Sequence, residues 1–271
     1  MKYKLIALDL DGTALNPKNL VDSSTAEAVR EARRRGVRVV ISTGRICGEA
    51  AEFARQMQTD DYMVTSGGAS LSSLRDERCF MRLSMPWEIS VRAAAALEHI
   101  GLSTMVYVGE RLLITRYDEM MFSAYKSNEG YLAVKKIVPS AAEWLARGQI
   151  MADKIFSRST DPANIQNARR TLARIPGVRV MSSAADNLEV VSPAADKGTA
   201  LSMLCRLYGT DPAHAAAIGD SENDLEMLTA VEMPIAMGNA SEEVKALCRH
   251  ITDDNAHDGA AKAIEWILRQ N

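Results

Sequence analysis

Two carboxylates at the end of a short apolar run are the residues of this sequence best suited to chemistry. Asp9 directly follows the run Leu5–Leu8, and Asp11 comes two residues later, before Gly12 and Thr13. Like charges this close repel each other, and burial disfavours the ionised form. Mg²⁺ would remove both problems because it prefers carboxylate oxygens, and an acid beside it can attack phosphorus and carry a phosphoryl group. The pattern favours that chemistry over a simple Asp-Gly turn.

Further polar residues stand at other predicted element ends. Asp220, Asn223 and Asp224 follow a later apolar run, and Lys197 opens a helix. A cation in the first helical turn faces the positive end of the helix dipole, which costs roughly 0.3–1 kcal/mol unless an anion lies in front of it. The alternative interpretation of Lys197 is an exposed lysine beside Asp196. For Asp220 and Asp224, the alternative is that these acids merely cap a helix.

Strands and helices alternate in the first and last thirds of the chain. The predicted strands are 5–8, 37–41, 62–64, 215–218, 234–237 and 251–252, and the predicted helices begin near Ser24, Ile46, Lys197, Ser221, Asn239 and Asp258. Residues 24–27 match a capping box. The alternation predicts a parallel sheet, and the polar residues above would then converge at its carboxyl edge.

The middle third mixes hairpin, strand and helix patterns. Gly109 and Glu110 fit a hairpin turn, and Asp161 with Pro162 fits a helix start. We therefore expect an α/β core with a parallel sheet, formed by residues 1–83 and 188–271, and an α+β domain inserted at residues 84–187.

Composition excludes several classes of protein. The 271 residues are 47% hydrophobic and 25% charged, an ordinary globular balance. A net charge of −3 gives no electrostatic case for a nucleic-acid partner or an anionic membrane, and no apolar stretch is long enough to span a bilayer. The four cysteines lie far apart, which predicts reduced thiols and a cytoplasmic location. Oligomeric state is not indicated.

The motifs, taken in order, resemble those of the haloacid dehalogenase-like (HAD) phosphohydrolases, and most of all the Cof-type subfamily with a type IIB cap. They are Asp9–Thr13, Ser42–Arg45, Lys197–Gly198 and Gly219–Asp224, with Thr252–Gly259 similar to the subfamily's closing loop. The resemblance covers essentially the whole chain. It implies a Rossmann-like core with an inserted cap. It also implies a Mg²⁺-dependent phosphatase of small phosphorylated metabolites, such as sugar phosphates, pyridoxal phosphate or flavin mononucleotide.

The resemblance also implies a role for each matching residue. Asp9 would be the nucleophile that forms an aspartyl-phosphate, and Asp11 would protonate the leaving oxygen and then deprotonate water. The implied phosphate-binding residues are Thr43, Gly44, Lys197 and Asn223, and Asn223 would also help to fix Lys197. The implied Mg²⁺ ligands are Asp9, the main-chain carbonyl of Asp11, and Asp220, with Asp224 supporting them.

One turn departs from the family pattern. Members of the family commonly have Asn-Gly-Ala after the third strand, whereas Gly67 stands here in place of the asparagine. This removes a side-chain amide, which puts a transferred substrate preference in doubt but not the phosphoryl chemistry. Candidate substrate contacts in the cap are Glu110, Arg111 and the segment Tyr125–Glu129, with ordinary surface as the alternative.

Two other functions stay open at this stage. A phosphotransferase or phosphomutase would use Asp9 in the same way but pass the phosphoryl group to a sugar hydroxyl. A receiver-like signalling module would keep the phosphoryl group on an aspartate, and the inserted cap and the acid–base candidate Asp11 argue against it.

Overall fold

The structure is a computed structural model that describes residues 2–122 and 129–271. The strands of these residues are β1 (Leu5–Leu8), β2 (Arg38–Ile41), β3 (Tyr62–Thr65), β4 (Ser70–Ser73), β5 (Arg78–Arg82), β6 (Ser103–Val108), β7 (Arg111–Ile114), β8 (Lys135–Ile137), β9 (Lys154–Arg158), β10 (Arg179–Met181), β11 (Asn187–Val191), β12 (Ala215–Gly219), β13 (Met233–Ala236) and β14 (His250–Ile251). The helices are α1 (Ser23–Arg34), α2 (Cys47–Met57), α3 (Trp87–Ile100), α4 (Asp118–Met121), α5 (Glu129–Val134), α6 (Ala141–Gly148), α7 (Pro162–Leu172), α8 (Lys197–Leu207), α9 (Leu225–Ala230), α10 (Glu242–Leu247) and α11 (Gly259–Gln270).

A five-stranded parallel sheet forms the centre of the core. Its order is β14-β13-β12-β1-β2, and each neighbouring pair is parallel. Strand β1 therefore lies between β12 and β2. All four of its residues, Leu5–Leu8, are buried, because helices cover both faces of a parallel sheet. The predicted parallel α/β core is confirmed.

The core sheet is extended by an antiparallel meander, of which the sequence predicted only the first strand, at residues 62–64. A parallel bridge between Ser42 and Val64 joins β3 to the end of β2, and β4 and β5 pair antiparallel beyond it. Strand β4 is rich in serine and has no apolar alternation. Its hydroxyls are satisfied inside the sheet, where Thr65 Oγ1 lies 2.9 Å from Ser70 Oγ and 2.8 Å from Ser72 Oγ.

The inserted cap is built on a six-stranded sheet of order β10-β11-β9-β6-β7-β8. All of its neighbouring pairs are antiparallel except β7 with β8. An apolar cluster under α3, α6 and α7 includes Leu97, Leu145 and Leu172 and packs on one face of the sheet. The predicted α+β insertion is confirmed. Within the described ranges, no helix is both long enough and apolar enough to cross a membrane.

Strand β11 corrects the predicted end of the insertion. The predicted insertion ends at residue 187 and the predicted core resumes at residue 188, but Asn187–Val191 pairs with β9 of the cap sheet along its whole length, and Glu189–Val191 also pairs with β10. A strand that is apolar except for Glu189, such as Leu188–Val191, fits a buried position in either sheet. Its assignment therefore depends on tertiary pairing, and the division into two domains is otherwise still a prediction.

Helix α1 begins without the predicted capping box. Asp22 occupies the N-cap position, one residue before the helix starts at Ser23. The hydroxyl of Ser24 donates instead to Asp258 at the start of α11. A distant carboxylate has therefore replaced the local partner that the sequence pattern indicated for this serine.

Candidate active site

The turn after β1 presents Asp9 and Asp11 at the carboxyl edge of the sheet. The backbone bends at once, with Ala14 N donating to Asp9 O at 3.2 Å and Leu15 N donating to Leu10 O at 2.9 Å. Gly12 adopts a φ of +84°, and a Cβ there would lie 2.5 Å from Asp220 Oδ2. Glycine is therefore required by both the backbone conformation and the close approach of the neighbouring strand end.

The neighbouring strand β12 ends in Asp220. Thr13 Oγ1 donates to Asp220 Oδ1 at 3.2 Å, which links the two strand ends. The carboxylate of Asp224 turns back onto the same segment, and its Oδ2 accepts hydrogen bonds from the backbone amides of Asp220 at 3.0 Å and Ser221 at 3.2 Å. The spacing from Asp220 to Asp224 thus folds the second acid behind the first.

Lys197 lies between the carboxylates of these two acidic segments. Its Nζ lies 2.7 Å from Asp9 Oδ1 and 2.7 Å from Asp224 Oδ1, and the residue is only 1% exposed. Burial lowers the pKa of Lys197, but the two carboxylates outweigh that effect and raise it above its ordinary value. Asp196 holds the N-terminus of α8 by accepting from Thr199 N at 2.6 Å. Lys197 is therefore a buried cation held between two carboxylates, and the phosphate-binding role implied for it is still a prediction.

The acids are arranged to receive another cation. Carboxylate oxygens of Asp9, Asp220 and Asp224 lie within 4.8 Å of one another. Burial, followed by the charge of Asp224, raises the pKa of Asp9 well above its ordinary value and that of Asp220 to about 7. Both oxygens of Asp224 are already bonded, so Asp9 and Asp220 are the better placed ligands. This donor set fits a hard divalent cation such as Mg²⁺.

Asp11 has a partner that the sequence did not indicate. Arg45 donates to it through two bonds, with Nε 2.9 Å from Oδ2 and Nη2 2.6 Å from Oδ1. Desolvation raises the pKa of Asp11, but the bonds and charge of Arg45 outweigh it and hold this pKa below its ordinary value. The carboxylate of Asp11 is therefore turned to Arg45 and stands apart from the cluster of the other three acids.

The turn after β2 places Thr43 and Gly44 next to this pair. Thr43 is fully buried, and its Oγ1 accepts from Arg45 N at 3.1 Å. Gly44 faces the opening of the site, where its carbonyl accepts a hydrogen bond from Lys154 of the cap. The phosphate-binding role implied for Thr43 and Gly44 is still a prediction, and their position beside Arg45 is compatible with it.

A cavity of about 230 Å³ lies between the core and the cap. From the core it is lined by residues that include Asp9, Asp11, Gly44, Asp220 and Asn223, and from the cap by residues that include Tyr107, Lys154, Phe156, Arg158 and Glu189. Lys197, Asp224 and Thr43 lie beneath this surface. The structure thus brings the sequence-predicted site residues together on one side of the cavity, and the cap supplies the other side.

The cap residues of the cavity were missed by the sequence analysis. Lys154, Phe156 and Arg158 alternate along β9 and so lie on one face of the cap sheet. Glu189 stands in the otherwise apolar segment Leu188–Val191. A charged residue in a strand that is predicted to be buried needs a partner. This requirement is the feature of the sequence that could have identified Glu189 as a candidate site residue.

Three further predictions concern Asn223, the hairpin residues Glu110 and Arg111, and the segment 125–129. Asn223 has no described hydrogen bond to Lys197; its Nδ2 donates to Glu189 Oε1 at 3.3 Å. Glu110 and Arg111 are not among the described residues that line the cavity, and Glu110 accepts from the backbone amide of Cys79 instead. Of the segment Tyr125–Glu129, residues 125–128 lie outside the described residues.

Comparisons with known proteins match nearly the whole chain. A family model for haloacid dehalogenase-like hydrolases matches residues 6–264. The 5-amino-6-(5-phospho-D-ribitylamino)uracil phosphatase YcsE of Bacillus subtilis (strain 168) is 30% identical over 277 residues, covering 98% of this chain and 96% of that protein.

Solved structures show the same fold along the whole chain. A haloacid dehalogenase-like hydrolase from B. subtilis superposes with a TM-score of 0.86 at 25% identity, covering 97% of this chain and 99% of that one. A HAD subclass IIB sugar phosphatase superposes with a TM-score of 0.83 at 23% identity, covering 98% of this chain and 99% of that one. The second likeness concerns the fold alone.

Proposed function

Because the chain belongs to the haloacid dehalogenase-like hydrolases, in their Cof-type branch, we propose that it is a Mg²⁺-dependent phosphatase of small phosphomonoesters that acts through an aspartyl-phosphate on Asp9. YcsE and several other relatives are named phosphatases, and the chain is a phosphoric monoester hydrolase. Beyond this enzyme class, the Mg²⁺ ion, the covalent intermediate and the role of each residue are proposed.

One observation carries the proposal. Three carboxylates, those of Asp9, Asp220 and Asp224, crowd together, and Lys197 is the one ammonium that the described ion pairs place on them. Such a cluster has an excess of negative charge that a bound cation would neutralise. Asp9, Asp220 and the main-chain carbonyl of Asp11 would hold Mg²⁺, with Asp224 behind them. When bound, the ion would neutralise charge on the phosphoryl oxygens.

Asp9 would then attack the phosphorus of the bound ester. A new Oδ–P bond forms as the P–O bond to the leaving alcohol breaks, and the bond to Lys197 orients the carboxylate and offsets its charge. Water subsequently attacks the aspartyl-phosphate, which releases inorganic phosphate and restores Asp9. Positioning and charge neutralisation are the main requirements of phosphoryl transfer.

Asp11 would carry the proton between these two steps. It would give a proton to the departing alkoxide and later take one from the attacking water. In the structure Arg45 holds Asp11 ionised. A dianionic phosphate beside Arg45 would compete for that guanidinium charge and raise the pKa of Asp11, so the carboxyl would become protonated when substrate binds.

A phosphate-release assay tests the proposal. Phosphorylated metabolites, including sugar phosphates, pyridoxal phosphate, flavin mononucleotide and 5-amino-6-(5-phospho-D-ribitylamino)uracil, would be incubated with the protein with and without Mg²⁺. We expect inorganic phosphate with Mg²⁺ and none from Asp9→Asn, whereas Asp76→Asn on the surface should match the wild type. Turnover by Asp9→Asn, or transfer of phosphate to a second sugar without release, would refute the assignment.

The proposal extends to partners and location. The partner is a small phosphorylated metabolite that fits a cavity of about 230 Å³. All four cysteines are free thiols, which supports a reducing compartment such as the cytoplasm. Mass spectrometry of the thiols in the protein from intact cells would test this location.

A further inference from the structure

Two charged residues of the cap lie directly above the carboxyl end of β1. Lys154 on β9 donates through Nζ to the carbonyl of Gly44, and the same Nζ lies 3.2 Å from Glu189 Oε2 on β11. Glu189 in turn accepts from Asn223 Nδ2 at 3.3 Å. This chain of bonds runs from the turn after β2, through the cap, to the segment after β12.

Sheet order determines what lies beneath this chain of bonds. Since β1 lies between β12 and β2, a bridge from Gly44 to Asn223 must pass over the end of β1, where Asp9 stands. An ester that presents its phosphorus to Asp9 therefore has its alcohol portion next to Lys154 and Glu189. Asp9, Lys154 and Glu189 all line the same cavity.

We propose that Lys154 and Glu189 are the specificity-determining pair of this enzyme, and that they recognise hydroxyl groups on the alcohol portion of the phosphomonoester. This inference rests on the proposed function. An alcohol O–H can donate to the carboxylate of Glu189 and accept from the ammonium of Lys154. An alkyl chain would meet the same two groups without bonding either.

The burial of the pair makes it selective. Each residue is only 2% exposed, and the ammonium of Lys154 also lies 4.4 Å from the centre of the Tyr107 ring. A buried polar group that loses a partner without gaining another pays its desolvation in full. A hydroxylated ester that displaces Lys154 from Gly44, or Asn223 from Glu189, replaces the lost bond, and an apolar ester does not.

Gly67 lies beside this pair and places no side chain against it. Its φ of +70° belongs to the left-handed region, and a Cβ there would lie 3.6 Å from Glu189 Oε2 and 3.7 Å from Lys154 Cδ. Both are ordinary contacts, so there is space for a side chain, and asparagine is among the few residues other than glycine that adopt the left-handed region. An asparagine amide here would reach the carboxylate of Glu189 and compete for it. With glycine at position 67, no side chain from this turn competes with Lys154 or with the substrate for Glu189.

The test compares two five-carbon esters that differ only in their hydroxyls, ribitol 5-phosphate and n-pentyl phosphate, with acetyl phosphate as a minimal substrate. In Lys154→Met and in Glu189→Gln we expect kcat/KM for ribitol 5-phosphate to fall about 10- to 100-fold, mainly through KM, as a lost charged hydrogen bond predicts. Values for acetyl phosphate should stay within about threefold, and those for n-pentyl phosphate should not fall. The double variant should lose no more than either single variant, because the two residues act as one unit.

Gly67→Asn provides an independent arm that removes no charge and leaves the buried pair in place. It should lower the preference for ribitol 5-phosphate over n-pentyl phosphate while acetyl phosphate is hydrolysed normally. In these variants, an equal loss of kcat/KM on all three substrates, or no loss on any of them, would overturn the inference. So would a wild type that hydrolyses acetyl phosphate but does not prefer the hydroxylated ester. A wild type inactive on every ester would instead refute the proposed function, and the inference with it.

Discussion

At the scale of single residues, Lys197 has the most demanding position in the site. Its ammonium is bonded to two carboxylates that are themselves almost fully buried, Asp9 and Asp224. A buried ion pair contributes little relative to an apolar replacement, but removing one partner leaves the other charge uncompensated. Lys197 thus contributes to the stability of the site, in addition to the role in phosphate binding that we propose for it.

Lys197→Met should reduce the free energy of unfolding by about 3–5 kcal/mol near neutral pH, because it leaves two buried carboxylates without a cation. Urea denaturation followed by tryptophan fluorescence measures this. Lys262→Met, on an exposed lysine paired with Asp253, is the control and should leave the unfolding midpoint unchanged. Equal midpoints for the two variants would contradict this account of Lys197.

Asp220 gives the metal-free protein a pH dependence with a definite sign. Its pKa is raised to about 7 by burial and by the charge of Asp224. The folded state therefore binds more protons than the unfolded state between about pH 4 and pH 7, and stability falls as the pH rises through that range.

In the presence of a chelator, the melting temperature should therefore fall between pH 5 and pH 7.5. Mg²⁺ should raise the melting temperature more at pH 7.5 than at pH 5, since it binds the ionised carboxylates. Differential scanning calorimetry measures both effects. In Asp220→Asn the Mg²⁺ effect should be much smaller, and a wild type stabilised by Mg²⁺ equally at both pH values would speak against these ligands.

At the scale of elements, helix α2 of the core packs directly against α5 of the cap. Gly48 and Gly130 meet there, and a Cβ on Gly130 would lie 2.3 Å from the carbonyl oxygen of Gly48. Backbone atoms cannot move aside as a flexible side chain can. Beside this contact, Ile46 of the core packs into an apolar cluster with Tyr107 and Tyr131 of the cap.

Gly130→Ala should separate α5 from α2 and weaken closure of the cap without unfolding the core. We expect kcat/KM for a phosphomonoester to fall about tenfold, since a displacement of about 1 Å can cost up to a hundredfold. The control is Leu132→Ala on the exposed side of the same helix. Steady-state kinetics with far-ultraviolet circular dichroism would distinguish a closure defect from unfolding. Unchanged kinetics in Gly130→Ala would mean that this contact does not govern closure.

At the scale of the whole molecule, the chain contains two large apolar clusters that belong to different sheets. One surrounds the parallel sheet and includes Leu204 and Ile218. The other lies under the cap helices and includes Leu97 and Ile155. The two large clusters share no residues, although a smaller one around Ile46 and Tyr107 lies between core and cap, so we expect the cap and the core to have separate main sources of stability.

Leu97→Ala should destabilise the cap by about 2–5 kcal/mol, the usual cost of such a truncation in a core. Hydrogen exchange should then accelerate in β6 and β9 while β1 and β12 stay protected. Leu204→Ala is the matched change in the other cluster and should accelerate exchange in the parallel sheet. Uniform acceleration over the whole chain in both variants would show instead that cap and core unfold as one unit.

Local patterns of the sequence determined the parallel sheet and the position of its acids. A strand buried on both faces must be continuously apolar, so the points where Leu5–Leu8 and Ala215–Ile218 give way to Asp9 and Asp220 mark its carboxyl edge. The acids, Lys197 and the glycine turn could be predicted because each feature lies within a few residues of an element end. Their convergence follows from the rule that parallel strands share one edge.

Tertiary structure alone decided which groups face those acids. The partner of Asp11 is Arg45, and the far wall of the cavity comes from Lys154 and Glu189, more than a hundred residues away in sequence from the β1 turn. The sheet that receives Asn187–Val191 was likewise decided by pairing. Charge pairing and sheet membership depend on distances between distant segments, and a local pattern of residue types contains no information about those distances.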